Sequence, residues 1–202
     1  MALLYREELI SIISESYFPS SDTLLALGFK TRYVLYAKCL SKQSNDTFHV
    51  FVNHWPSKVG NSKMSGGGRM FISKMVRQKC DSIFTKDSAV KIIIMGDLND
   101  TPDSEAVMNL CREGKMINLT SQMLQQRNVF GSYKYKGKWE AIDHFLVSDS
   151  VGCVMDIFDH QTLLERDKNF LGVKIKRTNV GPRYRGGASD HLPIVLTIKN
   201  GK

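Results

Sequence analysis

Apolar and polar positions alternate along the chain in a way that divides it into strands and helices, with no internal repeat, low-complexity tract or interdomain linker. Tyr33–Leu40 and Thr47–Asn53 are rich in β-branched and aromatic residues, and the polar stretch Ser41–Asp46 between them is turn-like. This predicts an antiparallel hairpin whose second strand ends at Asn53 and His54. After a segment read as loose, Ser57–Gly68, the residues Ile72, Val76, Cys80 and Ile83 recur at helical spacing, with Arg69, Lys74, Arg77 and Lys79 elsewhere on the wheel. A surface helix with one buried face is expected. Val90–Met95 is a continuous apolar run, as in a strand covered on both sides. A helix from about Ser104 to Arg112, ended by Gly114, follows a loop holding Asp97 and Asn99.

Farther on, Tyr133–Tyr135 and Trp139 flank Lys136-Gly137-Lys138 as a second hairpin, and Ile142–Val147 and Pro193–Ile198 read as strands. Between those two strands, His160–Ala188 shows little periodicity, and so long a loop in a folded domain usually carries function or is disordered. Strands interleaved with helices, several hairpins and no nucleotide-type glycine-rich turn predict an α+β sandwich with mixed or antiparallel sheets.

Length and composition narrow the picture only modestly. The 202 residues fit one domain, 1–202, and the 42% hydrophobic and 24% charged content is that of an ordinary globular protein. The longest apolar run, Ile92–Met95, falls far short of the roughly 20 residues of a membrane helix, so no membrane span is expected. A formal charge of +8 favours an anionic partner. Nucleic acid, an anionic lipid headgroup and a small phosphate ester all satisfy that charge, as does a basic surface with no partner. Cys39, Cys80, Cys111 and Cys153 lie far apart without a Cys-x-x-Cys pair, which argues against a zinc knuckle or redox motif and for buried small hydrophobes. The start, Met1–Glu8, lacks the features of a secretory signal. As written the chain reads as cytoplasmic, and as exported if a signal lies upstream of Met1.

The candidate chemistry sits at strand ends, in four short motifs: Asn53-His54-Trp55-Pro56-Ser57, Gly96-Asp97-Leu98-Asn99-Asp100, Ile142-Asp143-His144-Phe145 and Ser189-Asp190-His191-Leu192-Pro193. Singly, each is as well explained by turn formation or a structural ion pair. Together they bring carboxylates, amides and imidazoles to one end of a sheet, the set that phosphoester hydrolysis needs. A hard cation takes oxygen ligands and polarises the phosphoryl group. A carboxylate orients and deprotonates water, and an imidazole held by a second acid donates to the developing charge.

These motifs, in this order, resemble the endonuclease/exonuclease/phosphatase superfamily of DNase I-like phosphoesterases, from about Tyr33 to Ile198. The resemblance implies a four-layer α/β sandwich and hydrolysis of a phosphate ester with Mg²⁺ or Mn²⁺. It implies that Asp97 activates water, that Asn99 steadies it and a phosphate oxygen, and that Asp190 is a metal ligand. It further implies that His191 contacts the phosphate with Asp143 on its far nitrogen, and that His54, with Asn53 beside it, contacts the phosphate from the earlier strand.

Substrate class stays open among nucleic acid, phosphoinositides, sphingomyelin and small phosphate esters. Arg183 and Arg185, in a cluster with Lys174, Lys176 and Arg177, are candidates to read backbone phosphate, and Arg32, Trp55 and Tyr184 are candidates to line the cleft. Complete family members carry an Asn and a metal-binding Glu on earlier strands. Here Ala2–Arg6 resembles the strand that follows those ligands. The expectation is therefore a fold incomplete at its N-terminus, with weak or no metal-dependent hydrolysis by the 202-residue chain, activity from a longer version with the upstream strands, and unpaired strand edges that invite self-association. The rival expectation is a catalytically silent basic module that binds phosphate or nucleic acid.

Overall fold

The central hairpin forms where its residues dictate. The computed structural model describes residues 1–19, 32–58, 62–126 and 131–199. In chain order the strands and helices begin with β1 (Ile10–Phe18), β2 (Val34–Ser41), β3 (Thr47–His54), the long helix α1 (Ser62–Phe84) and β4 (Lys91–Asp97). Then come α2 (Glu105–Leu110), β5 (Met116–Asn118), α3 (Leu119–Gln126), β6 (Tyr133–Tyr135), β7 (Lys138–Glu140), β8 (Asp143–Ser148) and β9 (Cys153–Ile157). Four short strands, β10 (Leu164–Arg166), β11 (Val173–Ile175), β12 (Asn179–Val180) and β13 (Arg183–Tyr184), precede β14 (Ile194–Ile198).

A mixed six-stranded sheet in the order β1-β2-β3-β4-β8-β5 forms the middle of the molecule. β3 and β4 are parallel, joined by the crossover through α1, and the other pairings are antiparallel. Alternation along β4 shows why its sequence is apolar throughout. Ile92 and Ile94 face a core shared with Ile72, Val76 and Cys80 of α1 and with Val107 and Leu110 of α2. Ile93 faces the opposite core with Phe145, Val147, Leu119 of α3, and Met155 and Ile157 of β9. On that second face β9 pairs with β14 as a two-stranded sheet. Apolar burial on both faces of one sheet is the main stabilising term here.

Several expectations need correction. The segment read as loose is helical from Ser62, so Gly66, Gly67 and Gly68 lie inside α1. Helical glycine costs up to about 1 kcal/mol relative to Ala, but this end of the helix is anchored by Arg69, whose Nε donates to Asp100 Oδ2 at 2.8 Å and whose Nη1 donates to the Pro56 carbonyl at 3.2 Å. Arg69 and Arg77, expected on the open face, are both buried. Ala2–Arg6 is not a strand; the edge strand is Ile10–Phe18, where a register shift between Ile12 and Ser14 breaks the period-two pattern that would have exposed it. The aperiodic stretch 160–188 holds two small two-stranded sheets, β10–β11 and β12–β13. The helix expected from about Ser104 to Arg112 forms as the shorter α2, which Ser104 caps by accepting from the Val107 amide, while β5, α3 and β9 are elements that the sequence pattern did not predict; all four cysteines are free, Cys39 and Cys80 in the core. Among the described residues no helix is long and apolar enough to cross a membrane.

Candidate active site

The parallel pair β3–β4 delivers two of the motifs side by side, because Asn53 is paired with Gly96 and His54 with Asp97. The approach is close enough that a Cβ on Gly96 would lie 2.1 Å from the Asn53 carbonyl oxygen, and Gly96 has φ +122°, a conformation open to glycine alone. Beyond the strand, Leu98 plugs into the core while its amide donates to the Ile142 carbonyl at 2.9 Å. Asn99 turns the chain with φ 50°, which Asn tolerates, and its amide donates to Asp97 Oδ1 at 2.8 Å. The Asn99 side-chain amide donates both to the Trp55 carbonyl at 2.9 Å and to Asp97 Oδ2 at 3.0 Å. Asp97 is thus held from both oxygens.

The last motif is built on the same plan. Leu192 is buried and its amide donates to the Ser132 carbonyl at 2.7 Å, which leaves His191 projecting from the other side of the loop. His191 Nδ1 lies 2.7 Å from Asp143 Oδ2. Asp143 starts β8, directly across from Asp97 in the antiparallel ladder. The Tyr133 ring packs against the His191 ring with centroids 4.8 Å apart. His54 Nε2 is 3.5 Å from Asp97 Oδ2.

These neighbours set the protonation states. Burial, then the charge of Asp143, pushes the Asp97 carboxyl up to about 6, against the opposing Asn99 hydrogen bond. Burial acts against charging His191 too, but the hydrogen bond and charge of Asp143, with Asp97 and Asp190, outweigh it and raise its pKa. Burial, with the charges of Arg32 and His191, lowers that of His54. The site therefore pairs a histidine that favours its cation with one that favours neutrality.

Among the described residues, Asp97, Asp143 and His191 present ligand atoms within 4.8 Å of one another and could hold a metal ion. The donor set fits a hard or borderline divalent cation: two carboxylates suit Mg²⁺ or Mn²⁺, and an imidazole suits Mn²⁺ better. Each carboxylate has two oxygens, so the bond to His191 does not exhaust Asp143.

The structure brings His54, Asp97, Asn99, Asp143 and His191 together. Asp190 lies beside them but is exposed and outside the metal-competent group. Asn53 is buried; its amide donates to the Phe51 and Met95 carbonyls and its oxygen accepts from Trp55 Nε1 at 3.0 Å. Trp55 is only 1% exposed, so it is a core residue and not part of the cleft wall. Arg32 is exposed, close enough for its charge to bear on His54 and Asp97. Arg183 and Arg185 lie on and just after β13, both exposed.

Residues to which the sequence reading gave no role also build the site. Asp100 ties its loop to α1 through Arg69 and lies 3.6 Å from Lys58, while its carbonyl takes a hydrogen bond from buried His144 Nε2 at 2.9 Å. His144 Nδ1 has no protein partner. Ser132 meets the amides of both Asp143 and Leu192. A Ser before a hairpin gives no sequence signal for such a role.

Carboxylates and imidazoles are thus gathered at one end of a mixed sheet on an α+β scaffold. Residues 1–200 match the model of the Endonuclease/Exonuclease/phosphatase family, and the chain belongs to that family of hydrolases. Sequence comparison with curated proteins finds no match. Among solved structures the chain is similar to a Bacteroides thetaiotaomicron mannosyl-6-phosphatase, with 16% identity, TM-score 0.65, and coverage of 96% of this chain and 69% of that one. It is also similar to the human Nocturnin catalytic domain with bound sulfate (13%, 0.58, 96% and 62%). A humanized Danio rerio TDP2 follows (14%, 0.62, 96% and 69%). At such identities the likeness is one of fold. The chain spans 62% to 69% of the length of these three proteins.

Proposed function

We propose that this protein is a divalent-metal-dependent phosphoesterase acting through Asp97, Asn99, Asp143, His191 and His54. The single observation that carries the reading is that the Asp143–His191 hydrogen bond of 2.7 Å lies within one three-residue group with Asp97. In this reading Asp97 accepts the proton of the attacking water, a role that suits a carboxyl whose pKa is about 6 and so near the working pH. Asn99 holds that carboxylate by its two N–H donors and offers its side-chain oxygen to the water.

His191, its Nδ1 fixed by Asp143, directs Nε2 at the phosphoryl group and donates to the charge that develops there. His54, neutral, contacts the phosphate from β3, with Arg32 adding positive charge at the rim. Asn53 contributes by locking Trp55 and the strand end that carries His54. A Mg²⁺ or Mn²⁺ ion would be held by carboxylate oxygens of Asp97 and Asp143, joined by Asp190, and would supply polarisation of the phosphoryl oxygen. The sheet with β9–β14 and α3 on one face and α1 and α2 on the other is read as part of a four-layer sandwich formed by residues 1–202.

The reading is tested by incubation with Mg²⁺ or Mn²⁺ and a panel of plasmid DNA, bis-p-nitrophenyl phosphate and p-nitrophenyl phosphate. Turnover that needs the metal and is lost in His191→Ala supports it. Binding of nucleic acid that survives chelation, with no turnover of any substrate, would establish instead a silent phosphate-binding module.

A further inference from the structure

A groove of about 420 Å³ lies between the β6–β7 hairpin and the two small sheets β10–β11 and β12–β13. Seven of its lining side chains are Lys or Arg against two carboxylates. Those two are already paired, Asp167 with Lys134 at 2.9 Å and Glu165 with Lys174 at 3.4 Å. Among the described residues this leaves Lys136, Lys176, Arg177, Arg183 and Arg185 with no carboxylate in ion-pairing distance. Five like charges around one concavity repel one another, and an anion bound among them removes that repulsion. Tyr135 and Phe170, about half exposed, add apolar ring surface to the same groove.

The groove is mechanically joined to the candidate active site at two points. The Arg177 guanidinium lies 5.2 Å over the Tyr133 ring, whose ring packs on His191 at 4.8 Å, so one aromatic side chain separates a groove cation from the imidazole. Arg177 is fixed there by donating to the Lys134 carbonyl at 2.7 Å. The second junction is Gly187, whose amide donates to the Arg177 carbonyl at 3.2 Å. Its backbone passes so close that a Cβ would sit 1.7 Å from the Lys176 carbonyl oxygen. The loop that continues to Asp190 and His191 is therefore packed directly against the basic segment Lys174–Arg177.

We infer that this groove is a subsite for a second phosphate group of the same substrate, held while the scissile phosphate lies at Asp97, Asp143 and His191. The inference rests on the phosphoesterase reading and narrows it to substrates that carry more than one phosphate. The recognising chemistry is shared by two sources, the backbone of a single-stranded nucleic acid and a small polyphosphorylated molecule. A steep salt dependence is expected of the first, because each phosphate contacted releases counterions.

The test combines binding with turnover. Dissociation constants for a fluorescent 12-nucleotide single-stranded DNA and for an inositol bisphosphate are measured in chelator, for the wild-type protein and for the triple variant Lys176→Gln/Arg183→Gln/Arg185→Gln. Weakening of at least tenfold is expected for one or both ligands, with largely restored binding in Lys176→Arg/Arg183→Lys/Arg185→Lys. Loss for the DNA alone assigns the site to nucleic acid, and loss for the bisphosphate assigns it to small polyphosphates.

With metal present, the ratio of kcat/KM for the assigned two-phosphate ligand to that for p-nitrophenyl phosphate should fall at least tenfold in the glutamine variant. Absence of binding by the wild type, or equal affinities in wild type and variant, overturns the subsite even if turnover is seen. Tight, variant-sensitive binding with no turnover of any ester rejects the phosphoesterase reading and with it the substrate subsite, leaving the groove as a phosphate-binding site alone.

Discussion

His191 Nδ1 and Asp143 Oδ2 lie 2.7 Å apart, with Asp97 directly across the ladder from Asp143. The bond does two things: it turns Nε2 outward, and it favours the imidazolium against the opposing effect of burial. If Nε2 is the group that donates to the phosphoryl oxygen, both effects are needed at once. Asp143→Asn keeps the shape but loses the charge, and kcat is expected to fall by about 10²–10⁴-fold, the range seen when a histidine loses its orienting acid or its own function. Because the two residues act as a unit, the double variant with His191→Ala should be little worse than His191→Ala alone. Additive losses in single-turnover assays would show that the pair does not act together.

Gly96 carries a second prediction. Any Cβ there would collide with the Asn53 carbonyl, and φ +122° is strained for an L-residue. Gly96→Ala should destabilise the protein by at least about 2 kcal/mol. It should also separate His54 from Asp97, since those two are the next paired residues along β3 and β4. Both a lower melting temperature and a loss of activity are expected, and a variant with unchanged stability would mean that the strands are farther apart than the structure places them.

Much of the site was legible in the sequence because each motif residue lies next to a residue with a local structural job. Leu98 and Leu192 are apolar plugs in otherwise polar loops, and they fix which way Asp97 and His191 face. Asn99 and Gly96 are the residue types that tolerate positive φ. What sequence could not supply was tertiary compensation. The segment 57–68 with its three consecutive glycines reads as loose, whereas in the fold Arg69 anchors this end of α1 by bonds to Asp100 and to the Pro56 carbonyl, residues distant from it in the chain. Likewise Trp55 and Asn53 look available for a ligand in the sequence, whereas in the fold they bond to each other. The bulge that hid β1 has the same character: it is a feature of pairing with β2, not of composition.

The metal group gives a prediction that separates two ligand sets. The family resemblance implies Asp190, whereas the geometry joins Asp97, Asp143 and His191. Asp97→Asn and Asp143→Asn should each weaken Mn²⁺ binding at least tenfold by calorimetry. Mn²⁺ at 100 times its dissociation constant should stabilise the wild-type protein by about 2.7 kcal/mol, and a chelator should reverse this. An ion held by Asp190 without the other two would leave Asp143→Asn at wild-type affinity while Asp190→Asn abolishes binding.

The last prediction concerns a group remote from the motifs. Buried His49 lies across β2–β3 from Tyr36, whose hydroxyl is 2.8 Å from His49 Nδ1. Burial, then the charges of Lys38 and Lys79, holds its pKa below the ordinary 6.5. The unfolded chain therefore takes up this proton at a higher pH than the folded one. The contribution of His49 to stability is fully present above pH 6.5 and is lost as the pH falls through the lower, folded-state value. His49→Gln keeps an acceptor but does not titrate, so the stability lost by the wild-type protein on acidification below pH 6.5 should exceed that lost by the variant. Chemical denaturation at a series of pH values measures the difference, and parallel curves for the two proteins would show that His49 is not held neutral by its surroundings.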